Sequence, residues 1–386
     1  MIESAKRIAD VQEYYFSKKL AEIALRRKKG EVILNLGVGS PDLPPHPSVI
    51  KALTKTSKDS SNHGYQPYRG IPTLREAYAN WYFKNYGVTL NPDTEMISLM
   101  GSKEGVMHIS MAYINPGDIV LVPNPGYPTY GAAAKIAGAD VKSYPFREDK
   151  PGWPDLSAFT EDELNRTKLF WINYPQMPTG QLATPDLFDN LVFMAHKHSF
   201  LLCHDNPYNG ILNKKPLSIF SSKGAKEVGL ELNSLSKVYN MAGWRVGCMI
   251  ANETVINTVL KFKTNVDSGM FKPIQMAAVK ALKLEDQWMR ELNDAYERRR
   301  EIALQIFKTI GCQIEGEQGG LFVWARIPEG STNAEAMSEE LLNNHQVFIT
   351  PGHIFGDRGA NHLRLSLCSN EDELRGALNR LKNRKA

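Results

Sequence analysis

The chain has 386 residues, with 46 Lys and Arg, 42 Asp and Glu, and a formal net charge of +4. At about 150 residues per domain this length predicts more than one domain, and the small net charge argues against a nucleic-acid-binding surface. No stretch reaches the roughly 20 apolar residues of a membrane-spanning helix, and the mixed charges of the first 20 residues predict no secretory signal. An enzyme or regulator that acts on small molecules in the cytoplasm is expected.

The cysteines and histidines predict no metal site. Cys203, Cys248, Cys312 and Cys368 are far apart and include no CxxC pair, so we expect reduced thiols and no disulfide framework. The nine histidines have no HExxH or similar spacing.

The predicted elements change in character along the chain. Residues 1–30 carry apolar side chains at helical spacing and end in basic residues before Gly30, which predicts an amphipathic helix. Short apolar runs follow, each ended by a polar or glycine-rich turn, and their alternation with helical stretches predicts crossover units on a mostly parallel sheet. The last run follows its predecessor too closely for a helical crossover, so we expect an antiparallel neighbour there. The runs are "MISLM", "DIVLVP", "KLFWIN", "FLLCHD", "VGLELN" and "VGCMIA".

The C-terminal part has a different pattern. From about Pro273 the sequence is helix-rich, which predicts a departure from the sheet. Beyond that stretch, "GGLFVWARIP" and "LRLSLC" predict strands of a smaller α+β unit.

Polar residues follow the predicted strands, where open parallel sheets bind their ligands. The segment "GSKEG" at 101–105 opens a helical stretch, whose free N–H groups favour an anion. Tyr127 follows the second run, Asp205 and Tyr208 follow the fourth, and Lys237 follows the fifth. These side chains are therefore expected at one edge of the sheet.

This set of residues suits pyridoxal 5′-phosphate. Lys237 can form an imine with the cofactor's aldehyde, and Asp205 can keep the pyridine nitrogen protonated. Tyr127 can stack on the ring. The phosphate needs several donors and positive charge, and the candidates are Ser102, Lys103, Ser234, Ser236 and Arg245.

The segment "SLSKVYNMAGWRVG" resembles the active-site lysine signature of the class I and II aminotransferases of PLP fold type I. Further family landmarks occur in order along nearly the whole chain, namely "NLGVGSPD", "YQPYRGIPTLREA", "GSKEG", "NPGYP", "HDNPY" and "HLRLSL". The resemblance implies an α/β fold with a mostly parallel seven-stranded sheet between helices in a large domain, 46–283. Residues 1–45 and 284–386 would form a smaller α+β domain.

The resemblance also implies roles for particular residues. Lys237, Asp205 and Tyr208 would be catalytic, with Asp205 and Tyr208 also contacting the cofactor. Tyr65 would reach the phosphate in the partner subunit's site, which implies a homodimer with shared active sites. Substrate would be held by Arg364, which grips the α-carboxylate, by Gly39 through its backbone, and by Asn173.

One position departs from the family pattern. The family usually reads "NPTG", whose asparagine bonds the cofactor's ring oxygen, whereas this chain reads "NYPQMPTG" with Met177 at that place. Tyr208 can still donate to the same oxygen, and Asn173 or Gln176 could assist. Because methionine cannot donate this bond, we expect a raised pKa for the imine that Lys237 forms with the cofactor.

The resemblance implies transamination by a ping-pong reaction that converts an amino acid to its 2-oxo acid and back. The "GSKEG" form occurs in the subgroup that includes alanine and LL-diaminopimelate aminotransferases. Glutamate and 2-oxoglutarate are the expected first pair, with diaminopimelate, alanine or aspartate as the other partner.

Two alternatives remain open from the sequence. A β- or γ-elimination lyase on the same scaffold would share Lys237, Asp205 and Arg245. A non-catalytic sensor fused to a DNA-binding domain is disfavoured, because the roughly 30 residues before "VILNLG" are too few for such a domain.

Overall fold

A seven-stranded sheet forms the centre of the larger part of the molecule. The computed structural model describes residues 2–9 and 15–382. The sheet has the strand order β2-β8-β7-β6-β5-β3-β4, and every neighbouring pair is parallel except those that β8 makes with β2 and β7. Its strands are β2 (Met96–Leu99), β3 (Ile119–Pro123), β4 (Asp140–Tyr144), β5 (Thr167–Asn173), β6 (Leu201–Asn206), β7 (Gly229–Ser234) and β8 (Gly247–Ala251). The α/β fold and the antiparallel placement of "VGCMIA" are thereby confirmed.

Helices cover both faces of this sheet. Strand β5 is buried from Leu169 to Asn173 because alternate side chains enter two different hydrophobic clusters. Leu169 and Trp171 lie in one cluster, and Phe170 and Ile172 lie in the other. Strands buried on both faces read as continuous apolar runs, which is why the sequence showed them clearly.

The helices of this part begin with local signals that the sequence carries. Helix α8 has Thr184 as its N-cap, whose hydroxyl accepts from the Leu187 N–H, and a proline in its first turn. The helices are α3 (Pro47–Ser57), α4 (Pro72–Tyr86), α5 (Ser102–Tyr113), α6 (Thr129–Ala137), α7 (Glu161–Asn165), α8 (Pro185–His198), α9 (Ala225–Val228), α10 (Leu235–Val238), α11 (Glu253–Lys263) and α12 (Lys272–Leu282).

A second, antiparallel sheet lies in the C-terminal part, with the order β12-β13-β10-β9. The predicted strands "GGLFVWARIP" and "LRLSLC" are confirmed as its two central strands. The strands of this part are β9 (Gln313–Ile314), β10 (Phe322–Arg326), β11 (Val347–Phe348), β12 (Thr350–Pro351) and β13 (His362–Ser366). Its helices are α13 (Asp286–Thr309), α14 (Ala334–His345) and α15 (Glu371–Lys382).

The N-terminal segment joins this second part. Strand β1 (Leu34–Asn35) pairs in parallel with β11. Two helices precede it, α1 (Lys6–Ala9) and α2 (Tyr15–Lys28), so the predicted helix before Gly30 is present where the chain is described. Part of that prediction falls on residues 1 and 10–14, which lie outside the described residues. The exact domain limits at 46 and 283 stay a prediction.

No described helix is both long and apolar enough to cross a membrane.

Candidate active site

A cavity of about 650 Å³ opens at the carboxyl ends of the parallel strands, where the polar strand-end residues meet. Every predicted site residue except Tyr65 lines it. These are Gly39, Ser102, Lys103, Tyr127, Asn173, Asp205, Tyr208, Ser234, Ser236, Lys237, Arg245 and Arg364. Met177 also lines the cavity. Tyr65 is 94 % exposed on this single chain and lies outside it.

Lys237 lies in the short helix α10, which starts directly after strand β7. Its ammonium group donates to the Gly39 carbonyl at 2.6 Å. Burial lowers the pKa of Lys237, with Arg364 and Arg245 adding to that effect. The structure thus shows a lysine whose neutral, nucleophilic form is easier to reach than that of a surface lysine.

Asp205, near the end of strand β6, is 4 % exposed. Its Oδ2 accepts from the Tyr130 hydroxyl at 2.8 Å, whereas Oδ1 is buried without a hydrogen-bond partner among the described residues. Burial raises the pKa of Asp205 to about 6, against the opposing effects of the Tyr130 hydroxyl, of His204 and of the Ser102 hydroxyl. A buried carboxylate oxygen without a donor is a site for a cationic N–H group of a ligand.

Arg364 is buried on strand β13 among aromatic rings. Its guanidinium carbon lies 4.0 Å from the centre of the Phe322 ring and 4.5 Å from that of Phe355. Nη2 donates to the Gly37 carbonyl at 2.7 Å, and Nη1 lies 3.3 Å from the Met177 sulfur. A planar guanidinium fixed in this way can bind a carboxylate through two parallel hydrogen bonds.

Gly39 packs so closely that a side chain there would overlap Phe322, because an added Cβ would lie 2.5 Å from its ring. The carbonyl of Gly39 faces Lys237. A side chain at position 39 is therefore excluded by Phe322, and the place of Gly39 beside the substrate stays a prediction.

The candidate phosphate groups converge on the N-terminus of α5. Gly101 precedes that helix with φ of 84°, and an added Cβ would overlap the Arg245 guanidinium. Arg245 donates to the Ala242 carbonyl at 3.0 Å and lies 3.5 Å from the Ser236 hydroxyl. Helix N–H groups, hydroxyls and a guanidinium together form a suitable anion site.

Asn173 and Met177 face each other at the end of β5. The Asn173 side chain donates to the Asp205 carbonyl at 2.6 Å and accepts from the Met177 backbone N–H at 2.8 Å. The amide of Gln176 is used elsewhere, since it donates to the Pro125 carbonyl at 2.9 Å. Both amides that could assist at position 177 are thus already engaged.

Sequence reasoning missed part of the site. Tyr130 in helix α6 is fully buried, stacks on Trp171 and donates to Asp205. Phe16, Ser17 and Leu20 of helix α2 line the cavity from the N-terminal side. The three residues are spaced by one and three positions along the helix, and this helical spacing is the only signal for them in the sequence. The same spacing is equally typical of a helix that packs on a hydrophobic core.

The comparisons with known proteins agree with this geometry. The family model of the aminotransferases of class I and II matches residues 31–381. The chain belongs to that family. Members of the family use pyridoxal phosphate, so this chain is a pyridoxal-phosphate-dependent transaminase acting on amino acids and 2-oxo acids.

Two curated relatives are similar over their full length. The chain is 39% identical to an LL-diaminopimelate aminotransferase of Dehalococcoides mccartyi, over 99% of both chains. It is 38% identical to an LL-diaminopimelate aminotransferase of Halothermothrix orenii, over 99% of this chain and 98% of that one.

Solved structures confirm fold type I. Substrate-bound BacF from Bacillus subtilis superposes with a TM-score of 0.95 at 36% identity, over 99% of this chain and 98% of that one. A mutant aspartate aminotransferase of Thermus thermophilus superposes with a TM-score of 0.89 at 25% identity, over 99% of both chains.

The cavity fits the family's cofactor. The buried Oδ1 of Asp205 lacks a donor that a protonated pyridine nitrogen would supply. Lys237 offers an amine inside the same cavity, and the α5 N-terminus with Arg245 offers an anion site. These three features match the ring nitrogen, the aldehyde and the phosphate of pyridoxal phosphate.

Proposed function

We propose that this transaminase exchanges the amino group between glutamate/2-oxoglutarate and a second pair, with diaminopimelate, alanine or aspartate as the second amino acid. The observation that carries the proposed site is the placement of the Lys237 amine in one cavity with the Asp205 carboxylate and the Arg364 guanidinium. The names of the relatives support diaminopimelate as one candidate for the second partner.

Lys237 holds the cofactor and moves the proton. Its amine, with a pKa lowered by burial, takes the proton from the α-carbon of the amino acid as a general base. In the cofactor-free chain its ammonium donates to the Gly39 carbonyl. Binding of the cofactor by Lys237 would replace that contact.

Asp205 keeps a proton on the ring nitrogen of the cofactor. Bound pyridoxal phosphate supplies an electron sink for the pair released at the α-carbon, and this sink requires a protonated ring. The Asp205 Oδ1 atom accepts that N–H, while Tyr130 holds Oδ2 and so fixes the carboxylate plane. Tyr127 and Tyr208 line the same cavity, where Tyr127 would pack against the ring and Tyr208 would donate to the ring oxygen.

Arg364 orients the substrate by binding its α-carboxylate, with Gly39 and Asn173 beside it. A bidentate pair fixes the plane of the carboxylate and hence the direction of the α-hydrogen. This pair makes no contact that distinguishes one substrate side chain from another.

Ser102, Lys103, Ser234, Ser236 and Arg245 hold the phosphate. Tyr65 of a second copy completes that site in a homodimer, which accounts for the exposure of Tyr65 on the single chain. We place the enzyme in the cytoplasm, where glutamate and 2-oxo acids are available and the thiols of its four buried cysteines stay reduced.

The test is a substrate panel with product analysis on the cofactor-loaded enzyme. We expect glutamate and one other amino acid to convert the cofactor stoichiometrically to its amine form, and 2-oxoglutarate to restore it. Release of ammonia without an oxo-acid acceptor would instead assign a lyase, with pyruvate as the co-product of β-elimination and 2-oxobutyrate as that of γ-elimination. Failure of glutamate with success of another donor would overturn the proposed first pair only.

A further inference from the structure

A buried ion network lies behind the N-terminus of α5 and takes no part in the steps above. We call Glu104, His108, Lys263 and Asp267 the Glu104 network. His108 Nε2 lies 3.2 Å from Glu104 Oε1 and 2.9 Å from Asp267 Oδ2, and Lys263 donates to Asp267 Oδ1 at 2.6 Å. The side chains of His108 and Lys263 are only 4 % and 2 % exposed.

Such a network is costly to bury. Removing charges from water costs several kcal/mol per ion, and mutual attraction offsets this only where the hydrogen bonds are good. Burial alone would raise the pKa of Glu104, but its contacts with His108 and Asp267 and the charge of Lys263 lower it to about 2. Glu104 is therefore a carboxylate in the first turn of the helix whose N-terminus faces the phosphate site.

The network is joined to the phosphate site through the backbone of one residue, Met100. The Met100 N–H donates to Glu104 Oε2 at 2.5 Å, and the Met100 carbonyl accepts from Arg245 Nη2 at 3.3 Å. Met100 directly precedes Gly101 and Ser102, where α5 begins. The backbone of Met100 is thus held at its N–H by Glu104 and at its carbonyl by Arg245.

We propose that Glu104 is a positioning residue for cofactor binding. By accepting from the Met100 N–H, it fixes the Met100 backbone, and with it the first N–H groups of α5 and the Arg245 guanidinium in the arrangement that the phosphate needs. His108, itself fixed by Asp267, holds the Glu104 carboxylate in place. This role extends beyond the phosphate contacts assigned above, since no member of the network lines the cavity.

The charge of Glu104 gives the proposal a sharp test. A carboxylate close to the phosphate site opposes a dianion electrostatically. If charge alone mattered, removing Glu104 would tighten cofactor binding, whereas loss of a positioning contact would weaken it. The two accounts therefore predict opposite signs.

The experiment measures the Kd of pyridoxal phosphate by absorbance for the wild type, Glu104→Ala and Glu104→Gln. We expect Glu104→Ala to raise Kd by about 10-fold or more, as for loss of a hydrogen bond to a charged group. Glutamine keeps an acceptor for the Met100 N–H, so Glu104→Gln should stay within about 3-fold of the wild type. An unchanged or lower Kd for Glu104→Ala would overturn the proposal.

Two further variants separate positioning from general loss of stability. His108→Ala should weaken binding in the same direction, and adding it to Glu104→Ala should cause little further loss, because both act through one chain of contacts. Ser110→Ala is the matched control, since Ser110 is buried in α5 and its hydroxyl donates only to the Val106 carbonyl, at 2.8 Å. Equal weakening by Ser110→Ala, at similar thermal stability, would contradict the proposal.

Glu104, His108 and Asp267 each offer one potential ligand atom, and these three atoms lie within 4.8 Å of one another, a spacing that could also hold a metal ion. The Lys263 ammonium already supplies the positive charge there. We therefore expect Kd to be the same with Mg²⁺ and with EDTA, and a metal-dependent Kd would overturn the assignment. The readout needs only cofactor binding, so its outcome is independent of the proposed substrate pair.

Discussion

Individual residues at the strand ends carry the proposed chemistry of this enzyme, and Asp205 is the clearest example. The sequence predicted its place in the cavity because a carboxylate follows a buried apolar run. It could not predict the partner Tyr130, which is 75 residues away in the chain and meets Asp205 only when α6 packs on the sheet. A contact of that kind depends on tertiary packing, for which a single sequence carries no local signal.

The buried Asp205 makes the stability of the cofactor-free protein depend on pH. Its pKa is raised to about 6 in the folded chain, so the folded state binds more protons than the unfolded state between about pH 4 and 6. The contribution of Asp205 to the free energy of unfolding therefore falls by about 3 kcal/mol as pH rises through that window. Chemical denaturation of the wild type and of Asp205→Asn at a series of pH values measures this difference. A difference that stays constant from pH 4 to 7 would contradict the shifted pKa.

Met177 is the second informative residue. Its sulfur lies against Arg364, and the two neighbouring amides are engaged in other hydrogen bonds. This arrangement leaves Tyr208 as the expected donor to the cofactor's ring oxygen.

Met177→Asn should lower the pKa of the imine between Lys237 and the cofactor. Asparagine restores a donor to the ring oxygen, which stabilises the oxyanion next to the imine nitrogen and reduces the basicity of that nitrogen. Spectral titration of the cofactor-loaded wild type and variant gives both midpoints. Identical midpoints would show that the donor is supplied by another residue.

At the scale of elements, the strands that are buried on both faces could be predicted from the sequence, whereas the edge strand β4 and the shortest strands could not. Strand β4, with the sequence DVKSY, lies at the end of the large sheet and is mostly half-buried or exposed, so it shows no apolar run. The two-residue strands β1, β9, β11 and β12 are too short for a periodic pattern. Edge strands and short strands are stabilised mainly by pairing with neighbouring strands, and the local sequence does not reveal that pairing.

Helix α2 is the element that ties the N-terminus to the cavity. Its Phe16 and Leu20 line the site, while Lys19 on the adjacent face donates to Glu339 of α14 at 2.6 Å. The ion pair thus anchors a wall of the substrate cavity to the second part of the molecule.

Lys19→Met should raise the KM for amino acid by about 5-fold, because loss of about 1 kcal/mol of anchoring loosens that wall. The Kd of pyridoxal phosphate should change little, since α2 is remote from the phosphate candidates in the chain and supplies none of them. Steady-state kinetics measures the effect. The control is Lys142→Met, which breaks the 2.5 Å pair with Glu163 at a site that does not line the cavity. Equal KM values for the two variants would argue against the anchoring role.

At the scale of the whole molecule, length and resemblance predicted the two-part α/β architecture. Twelve of the thirteen predicted site residues line one cavity; nine of them were predicted from residues that follow the strands, and Gly39, Asn173 and Arg364 from the resemblance. The thirteenth, Tyr65, is almost fully exposed on the single chain. Its proposed place is the phosphate site of a second copy, which no feature of one chain can display.

Mixing two inactive variants tests that shared site. In a dimer of Lys237→Ala with Tyr65→Ala, one site carries both substitutions and the other carries neither. Random reassociation should therefore restore about a quarter of the wild-type activity for a symmetric dimer. Recovery should require subunit exchange, which gel filtration of the mixture follows. A mixture without activity, although the heterodimer forms, would place Tyr65 outside the partner's site.

The most direct test of the active-site assignment is borohydride reduction of the cofactor-loaded protein, followed by mass spectrometry of its peptides. Our account predicts a pyridoxyl group on Lys237 alone, removed by prior addition of glutamate and restored by 2-oxoglutarate. A label on another lysine of the cavity, such as Lys103, would contradict the assignment of Lys237 as the residue that holds the cofactor and moves the proton.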